Sequence, residues 1–574
     1  MQKRWNCAFS DVFCESQTKE SKELLMSDMP DQPNKTTSPR VATGHPSPDG
    51  SMRYSWNLTS TDLTDLVQLR LQPVPVLPII FVPGIMGSNL KSKPSGRDKG
   101  TAVWRLNDVA GSGKPLGLAK EMIFKKAGER QAALNPSTTV VDNEGALPSR
   151  PAGSIRSQAE YMARGWGEVG EASYHSFLVW LEEALNSSTK SYNRKLEETL
   201  KAAFDNNGHA LGAVKPFEPC HVSDINQALR WHYPVYACGY NWLQDNKESA
   251  QTLKKRIESV IRAHNQGFGQ CEQVLVITHS MGGLVARACA QLQGMAGRIA
   301  GIVHGVMPAT GAPVAYRRCK VGMWDEDYKA GLVIGNNGQD VTAVFAQSPG
   351  ALELLPSGQY NNHWLRVKDP SGTDMLPPIA DPYEGIYGIK DKWWGLIKEE
   401  WLAPEGGTNL QWSGVLDNLD RAKLFHASIA NSYHANTYGF HGADPKQASF
   451  EHVEWRMKIG QSPNDGSHPP SPQSVMQMSP QAARIEGANP EYVGGQGKRS
   501  HYELHAAKQD GGGDGTVPTS SGRMPADAAN VKQWFALKGF AHEPAYKDDG
   551  ARLATLYGIV KLTAQAREPK SGSA

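Results

Sequence analysis

The chain carries no H-E-x-x-H and no C-x-x-C, so two common catalytic and structural metal arrangements are absent. A P-loop is missing too, because Tyr492 stands where the Gly497-Lys498 pair would need its first glycine. Asp510 and Asp514 share a short loop, but two carboxylates fall well short of a calcium ligand set. No metal and no cofactor are expected. Long apolar runs are also lacking: the most apolar stretch, 74–87, is broken by Pro75, Pro78 and Pro83 and is shorter than the ~20 residues a membrane-crossing helix needs. Nor is one sign of charge in excess. With 60 Lys and Arg against 58 Asp and Glu, the net charge is +2, which supplies no field for a phosphate backbone. Nucleic acid is not an expected partner. Cysteine is sparse and odd in number: Cys7, Cys14, Cys220, Cys238, Cys271, Cys289 and Cys319 show neither zinc spacing nor a disulfide framework and read as reduced, mostly packed thiols. The basic start is not followed by the apolar stretch of a secretory signal, so the expectation is a protein made in the cytoplasm.

What is present begins late. Residues 1–70 are polar, rich in Ser, Asp, Pro and Lys, and are expected to be a flexible leader. At Val74 the pattern changes to VPVLPIIFVPGIMGSNL, a buried strand ending at a Pro-Gly pair. HYPVYACGYNW (232–242) reads as a strand, and 245–267 as a helix with Leu253, Ile257, Val260 and Ile261 at helical spacing. QVLVITHS (273–280), a helical run 281–292 and RIAGIVHGV (298–306) follow. That alternation predicts an α/β fold, a mostly parallel central sheet with helices on both faces. Residues 71–310 are therefore the first part of the core, interrupted by an insertion at about 91–230. The rhythm lapses over 311–500, which is read as a cap insertion, and resumes at HYELHA (501–506) and KQWFALKGF (532–540). Residues 501–574 would complete the core, closing with a helix over 551–566 that contains Gly558.

Three short blocks carry chemistry. In VLVITHSMGGL (274–284) a strand runs into a small-residue turn and a helix, with Ser280 at the apex. A serine hydroxyl is a weak nucleophile and needs a tight turn, a nearby base and backbone N–H groups for an oxyanion. Thr278 stands where G-x-S-x-G has its first glycine, which predicts a more crowded turn. A serine after a buried strand is also a favoured helix cap. GGGDGTVP (511–518) sets Asp514 in a glycine-rich loop, and GFAHEPAY (539–546) sets His542 beyond the last strand. Asp-Gly turns and lone loop histidines are common. The order Ser280, Asp514, His542, each beyond a predicted strand, is that of an α/β-hydrolase triad of nucleophile, acid and base. His304, His501 and His505 compete as base, and Asp510 as acid.

PIIFVPGIMGSNL (78–90), THSMGGL (278–284) and GDGTVP (513–518) together resemble the α/β-hydrolase branch that holds lecithin:cholesterol acyltransferase and the GPI inositol-deacylases. The resemblance covers about half the chain, in blocks. It implies the α/β-hydrolase fold, a lipid acyl ester substrate and no metal, and it does not extend to the leader or the large cap insertions. It also implies an oxyanion hole from the backbone of Ile85 or Met86 with that of Met281. A lipase made without a signal peptide also resembles the bacterial type VI secretion lipase effectors. That implies export by a non-classical route, phospholipid at a membrane surface as substrate, and an immunity or secretion-apparatus protein as partner.

Hydrolysis of lipid esters by a lipase or phospholipase is the expected function. Transfer of the acyl chain to an alcohol is the alternative within the same chemistry, and a non-catalytic binding module with a hydrolase fold is the alternative outside it. A complete Ser, Asp and His set disfavours the binding module. Residues 383–402 interleave Tyr383, Ile386, Tyr387, Trp393, Trp394 and Trp401 with charged residues, which fits a lid at a lipid interface and equally a cap packed on its own core.

Overall fold

The computed structural model describes residues 74–567 apart from 94–99, 107–121, 123, 149–156, 187–210, 267–268, 324–325, 327–333, 460–467, 483–490 and 494–501. Before residue 74 it describes only the strands Arg40–Thr43, His45–Pro46, Met52–Arg53 and Val67–Arg70. The leader expected over 1–70 otherwise lies outside the described residues, as do Cys7, Cys14 and His501. Cys220, Cys238, Cys271, Cys289 and Cys319 are all unbridged, and all but Cys220 are buried, as reduced packed thiols should be.

Six short strands build the central sheet: β1 (Ile79–Val82), β2 (Val235–Ala237), β3 (Val274–His279), β4 (Ile299–Gly305), β5 (Thr437–Gly442) and β6 (Val531–Leu537). They lie in the order β2-β1-β3-β4-β5-β6, and every pairing is parallel. A parallel sheet is covered on both faces, which is why β3 and β4 read as unbroken apolar runs and are buried throughout. The period-two alternation divides them. Ile80, Val82, Val274 and Val276 face Leu253, Ile257 and Val285, from helices α2 (Asn246–Asn265) and α3 (Gly282–Leu292). Ile79, Phe81, Leu275 and Ile277 face Phe177, Leu181, Ile559 and Leu562, from α1 (Glu171–Asn186) and α4 (Asp549–Thr563). Gly558 does not end α4. A Cβ there would sit 2.9 Å from a Val303 methyl and 3.2 Å from the Tyr438 Cβ, so the glycine lets the helix lie directly on the sheet.

Two boundaries differ from the sequence reading. Thr437–Gly442 falls inside the segment assigned to the cap, yet it is β5 of the central sheet, paired with β4 and β6. Its two glycines and histidine look like a turn, and only neighbours on both sides make it a strand. Conversely, Tyr502–Ala506 was expected to resume the core, but it pairs antiparallel with Val453–Ile459 in a separate four-stranded sheet with Leu365–Lys368 and Glu491–Val493. A short β-type run does not encode which sheet it joins. This second sheet lies in a core of its own that includes Tyr316, Trp364, Tyr387, Trp393 and Trp455. Trp393 is fully buried, and its indole N–H donates to the Val475 carbonyl at 3.0 Å. Of the two readings of 383–402, packing fits Trp393, and Trp394 is likewise tied to the Met476 carbonyl at 3.3 Å. The first insertion holds a three-stranded sheet, Leu90–Ser92 with Ala102–Trp104 and Thr139–Val141, and also supplies α1.

Candidate active site

Strand β3 delivers Ser280 on a turn whose geometry is set by its neighbours. Ser280 has a φ of 52°, a left-handed conformation that costs a non-glycine residue about 1–3 kcal/mol and persists only where the surroundings impose it. Here the Ser280 N–H donates to the Gly305 carbonyl at 2.9 Å, and the Ser280 carbonyl accepts from Gly283 at 2.9 Å. The small residue after the turn is required by contact, since a Cβ on Gly282 would run into the carbonyl oxygens of Val82 and Pro83. The departure at Thr278 is accommodated. Its hydroxyl meets His304 Nδ1 at 2.9 Å, and its carbonyl accepts the Tyr546 hydroxyl at 2.8 Å.

The three residues singled out from their order come together. His542 Nε2 lies 2.8 Å from Ser280 Oγ, and His542 Nδ1 lies 2.8 Å from Asp514 Oδ2. An ionised carboxylate only accepts, so Nδ1 carries the proton and Nε2 is free to accept from the serine. Asp514 is 1% exposed. Its other oxygen accepts from the N–H groups of Thr516 at 3.0 Å and Val517 at 2.7 Å, and its carbonyl accepts from the His542 N–H at 2.8 Å. Asp514 therefore follows the short strand Gly511–Gly513, paired with Asp444–Ser449 beyond the end of β5, and not Tyr502–Ala506 as expected.

The competing residues have other duties. Asp510 accepts from the N–H groups of Glu451 and His452 and bonds His452 Nδ1 at 2.7 Å. His505 pairs with Glu503 at 3.1 Å. His304 is enclosed behind Thr278, and burial pushes its pKa down to about 3. Ile85 and Met86 lie on the loop after β1, beside the Ser280 turn: a Cβ on Gly84 would touch the Ser280 Cβ at 3.0 Å. The N–H groups of Ile85, Met86 and Met281 make no hydrogen bond with any described residue. The loop is fixed instead through other atoms. Trp104 donates to the Met86 carbonyl at 2.7 Å, Tyr240 to that of Pro83 at 2.9 Å, and Gly170 to that of Gly87 at 2.9 Å. Met86 is itself left-handed, with a φ of 61°. No group of side chains among the described residues is suited to a metal ion.

Sequence reasoning passed over His279 and Tyr174. His279 Nε2 lies 2.9 Å from the His542 carbonyl, and its Nδ1 lies 3.1 Å from the Tyr174 hydroxyl. His279 stood in the motif beside Ser280, where its neighbour took the attention. Tyr174 had no motif at all.

Comparison with known proteins agrees with this architecture. Residues 237–326, which run from the end of β2 through Ser280 to beyond β4, match the family model described as a PGAP1-like alpha/beta domain. A chain solved in the Tle4–Tli4 complex is similar at 28% identity and a TM-score of 0.71, over 86% of this chain and 99% of that one. Phospholipase PlaB from Legionella pneumophila aligns at 9% identity over 58% of this chain and 77% of its own, with a TM-score of 0.16 too slight to bear on the fold. No curated protein matches the chain. The chain thus has the α/β-hydrolase fold, and the stretch that holds β3, the serine turn and α3 is similar to a PGAP1-like alpha/beta domain.

Proposed function

We propose that the protein is a serine hydrolase of lipid carboxylic esters, a lipase or phospholipase working through an acyl-enzyme. The observation that carries this reading is the relay from Ser280 through His542 to Asp514, with both hydrogen bonds at 2.8 Å. His542 Nε2 takes the serine proton as Oγ attacks the ester carbonyl. Negative charge then develops on the former carbonyl oxygen, and the free N–H groups of Met281 and of Ile85 or Met86 receive it. Asp514 stabilises the imidazolium and holds its tautomer. The proton passes to the leaving alcohol oxygen, and water, activated by the same histidine, releases the fatty acid and restores Ser280.

Lipid as substrate is supported by the lipase-like blocks around Ile85 and Asp514 and by the likeness to the chain of the Tle4–Tli4 complex along almost its whole length. The same likeness supports a type VI secretion effector, exported by that route to act peripherally on a membrane. It also supports a specific protein partner, an immunity protein, since the solved relative is itself a complex of two proteins. None of the described helices is long and apolar enough to cross a bilayer. The test is a panel of phospholipids and neutral esters given to the purified protein beside Ser280→Ala and His542→Ala. Hydrolysis of at least one lipid class by the parent and at least a thousandfold less by both variants is expected; undiminished turnover in Ser280→Ala sinks the reading.

A further inference from the structure

Tyr174 reaches the site from α1, a helix in the insertion after β1, and is almost fully buried. Its ring packs against Phe81 and His279, with centroids 4.9 and 5.5 Å away. Its hydroxyl accepts the Gly84 N–H at 3.2 Å and meets His279 Nδ1 at 3.1 Å, while His279 Nε2 meets the His542 carbonyl at 2.9 Å. Proton positions follow from this chain. A carbonyl only accepts, so Nε2 of His279 carries a hydrogen. Burial holds this histidine neutral, with a pKa near 3, so Nδ1 is bare and accepts from Tyr174. Every group is satisfied in one direction, from Gly84 N–H to Tyr174, to His279, to the His542 carbonyl. Two glycines let the loop close on the pair. A Cβ on Gly87 would lie 2.6 Å from the Tyr174 hydroxyl, and one on Gly84 would lie 2.8 Å from His279 Nδ1.

We propose that Tyr174 and His279 are positioning residues which tie the loop carrying Ile85 and Met86 to the loop carrying His542, fixing the oxyanion donors relative to the base. The inference rests on the serine-hydrolase reading above. Neither side chain takes part in proton transfer. Both act through backbone, Tyr174 on the Gly84 N–H one residue before Ile85, His279 on the carbonyl of the catalytic histidine itself. Oxyanion donors work only when aimed at the developing charge, and displacement of about 1 Å can lower a rate about a hundredfold.

The experiment uses full-length protein, a short soluble ester and four variants. Tyr174→Phe removes only the hydroxyl. His279→Gln retains an amide N–H for the His542 carbonyl but removes the acceptor for Tyr174. Phe177→Leu, on the same helix and against Tyr546, reports on general loosening of α1, and Ser280→Ala reports on the nucleophile. Tyr174→Phe and His279→Gln should each lower kcat about tenfold to a hundredfold with KM within about twofold, and the double variant should be no slower than the worse single. Should Tyr174→Phe not fold, His279→Gln decides. The proposal is overturned if Ser280→Ala is inactive while both variants keep kcat within about threefold of the parent, or if Phe177→Leu loses as much kcat for the same fall in Tm. Activity in Ser280→Ala would instead refute the underlying reading.

Discussion

Replacing Asp514 with asparagine changes one oxygen to an amide nitrogen and leaves shape almost untouched, yet the site dictates which oxygen is lost. Oδ1 is held by two backbone donors, Thr516 N–H and Val517 N–H, at 3.0 and 2.7 Å. An amide nitrogen there would face two donors, so the carbonyl oxygen of the new side-chain amide must take that position. Its NH2 is then turned to His542 Nδ1, where the carboxylate stood at 2.8 Å. The amide donates, so Nδ1 must give up its proton and Nε2 must carry one. That hydrogen now points at Ser280 Oγ, 2.8 Å away, and the histidine no longer accepts from the nucleophile. A wrong tautomer in a serine triad lowers kcat about ten-thousandfold, which corresponds to about 5.5 kcal/mol of transition-state stabilisation. Asp510→Asn is the matched comparison, because that carboxylate braces the turn at Glu451 and His452; its kcat should stay within about threefold. Initial rates on a soluble chromogenic ester, at equal folded concentration by circular dichroism, give both numbers. Should Asp514→Asn retain more than about a tenth of parental kcat, the tautomer argument is wrong; reversal of the two phenotypes would move the acid to Asp510.

Two further outcomes follow from burial. Trp393 is fully buried among Tyr316, Trp455 and Val475, so Trp393→Ala should cost about 3–5 kcal/mol of stability and lower Tm, with vesicle and soluble-ester activities falling together. Loss confined to vesicles at an unchanged Tm would restore an interfacial lid. Acid should unfold the protein through its buried histidines. Burial lowers the pKa of His175, His426 and His441 to about 4 and that of His279 and His304 to about 3. With folded values below the unfolded one near 6.5, the unfolded chain takes protons first as pH falls. The stability each neutral imidazole secures is thus complete above pH 6.5 and lost progressively towards pH 4. A histidine held near 4 forfeits about 2 kcal/mol by pH 5; a Tm that stays flat from pH 7 to 5 contradicts this.

Legibility in the sequence followed the range over which each feature is encoded. Strands β3 and β4 are covered on both faces, so burial wrote them as continuous apolar runs around VLVIT and IAGIV. The order of Ser280, Asp514 and His542 was readable because each sits in a loop with its own local composition. β5 was not readable. TYGFHG owes its strand to hydrogen bonds with β4 and β6, and a six-residue run with two glycines states no such preference by itself. Tyr502–Ala506 failed in the opposite sense: a sound local strand signal, joined to a different sheet.

The residues that the motifs missed mark a further division. Thr278 broke the glycine pattern and suggested crowding, yet it is still the penultimate residue of β3, opposite His304 in register, and its side chain meets a partner across the sheet, away from the turn. What must be small is the residue that crosses a neighbouring backbone, and that is Gly282 against Val82 and Pro83. The glycines of the loop after β1 likewise owe their identity to atoms of Tyr174 and His279, which the chain supplies from 90 and 195 positions further on (Gly84 to Tyr174 and Gly84 to His279). A motif therefore records the side of a contact that has to yield space, while the group that fills it carries no signature. This is why Ser280, Asp514 and His542 were visible in sequence and the framework around them was not.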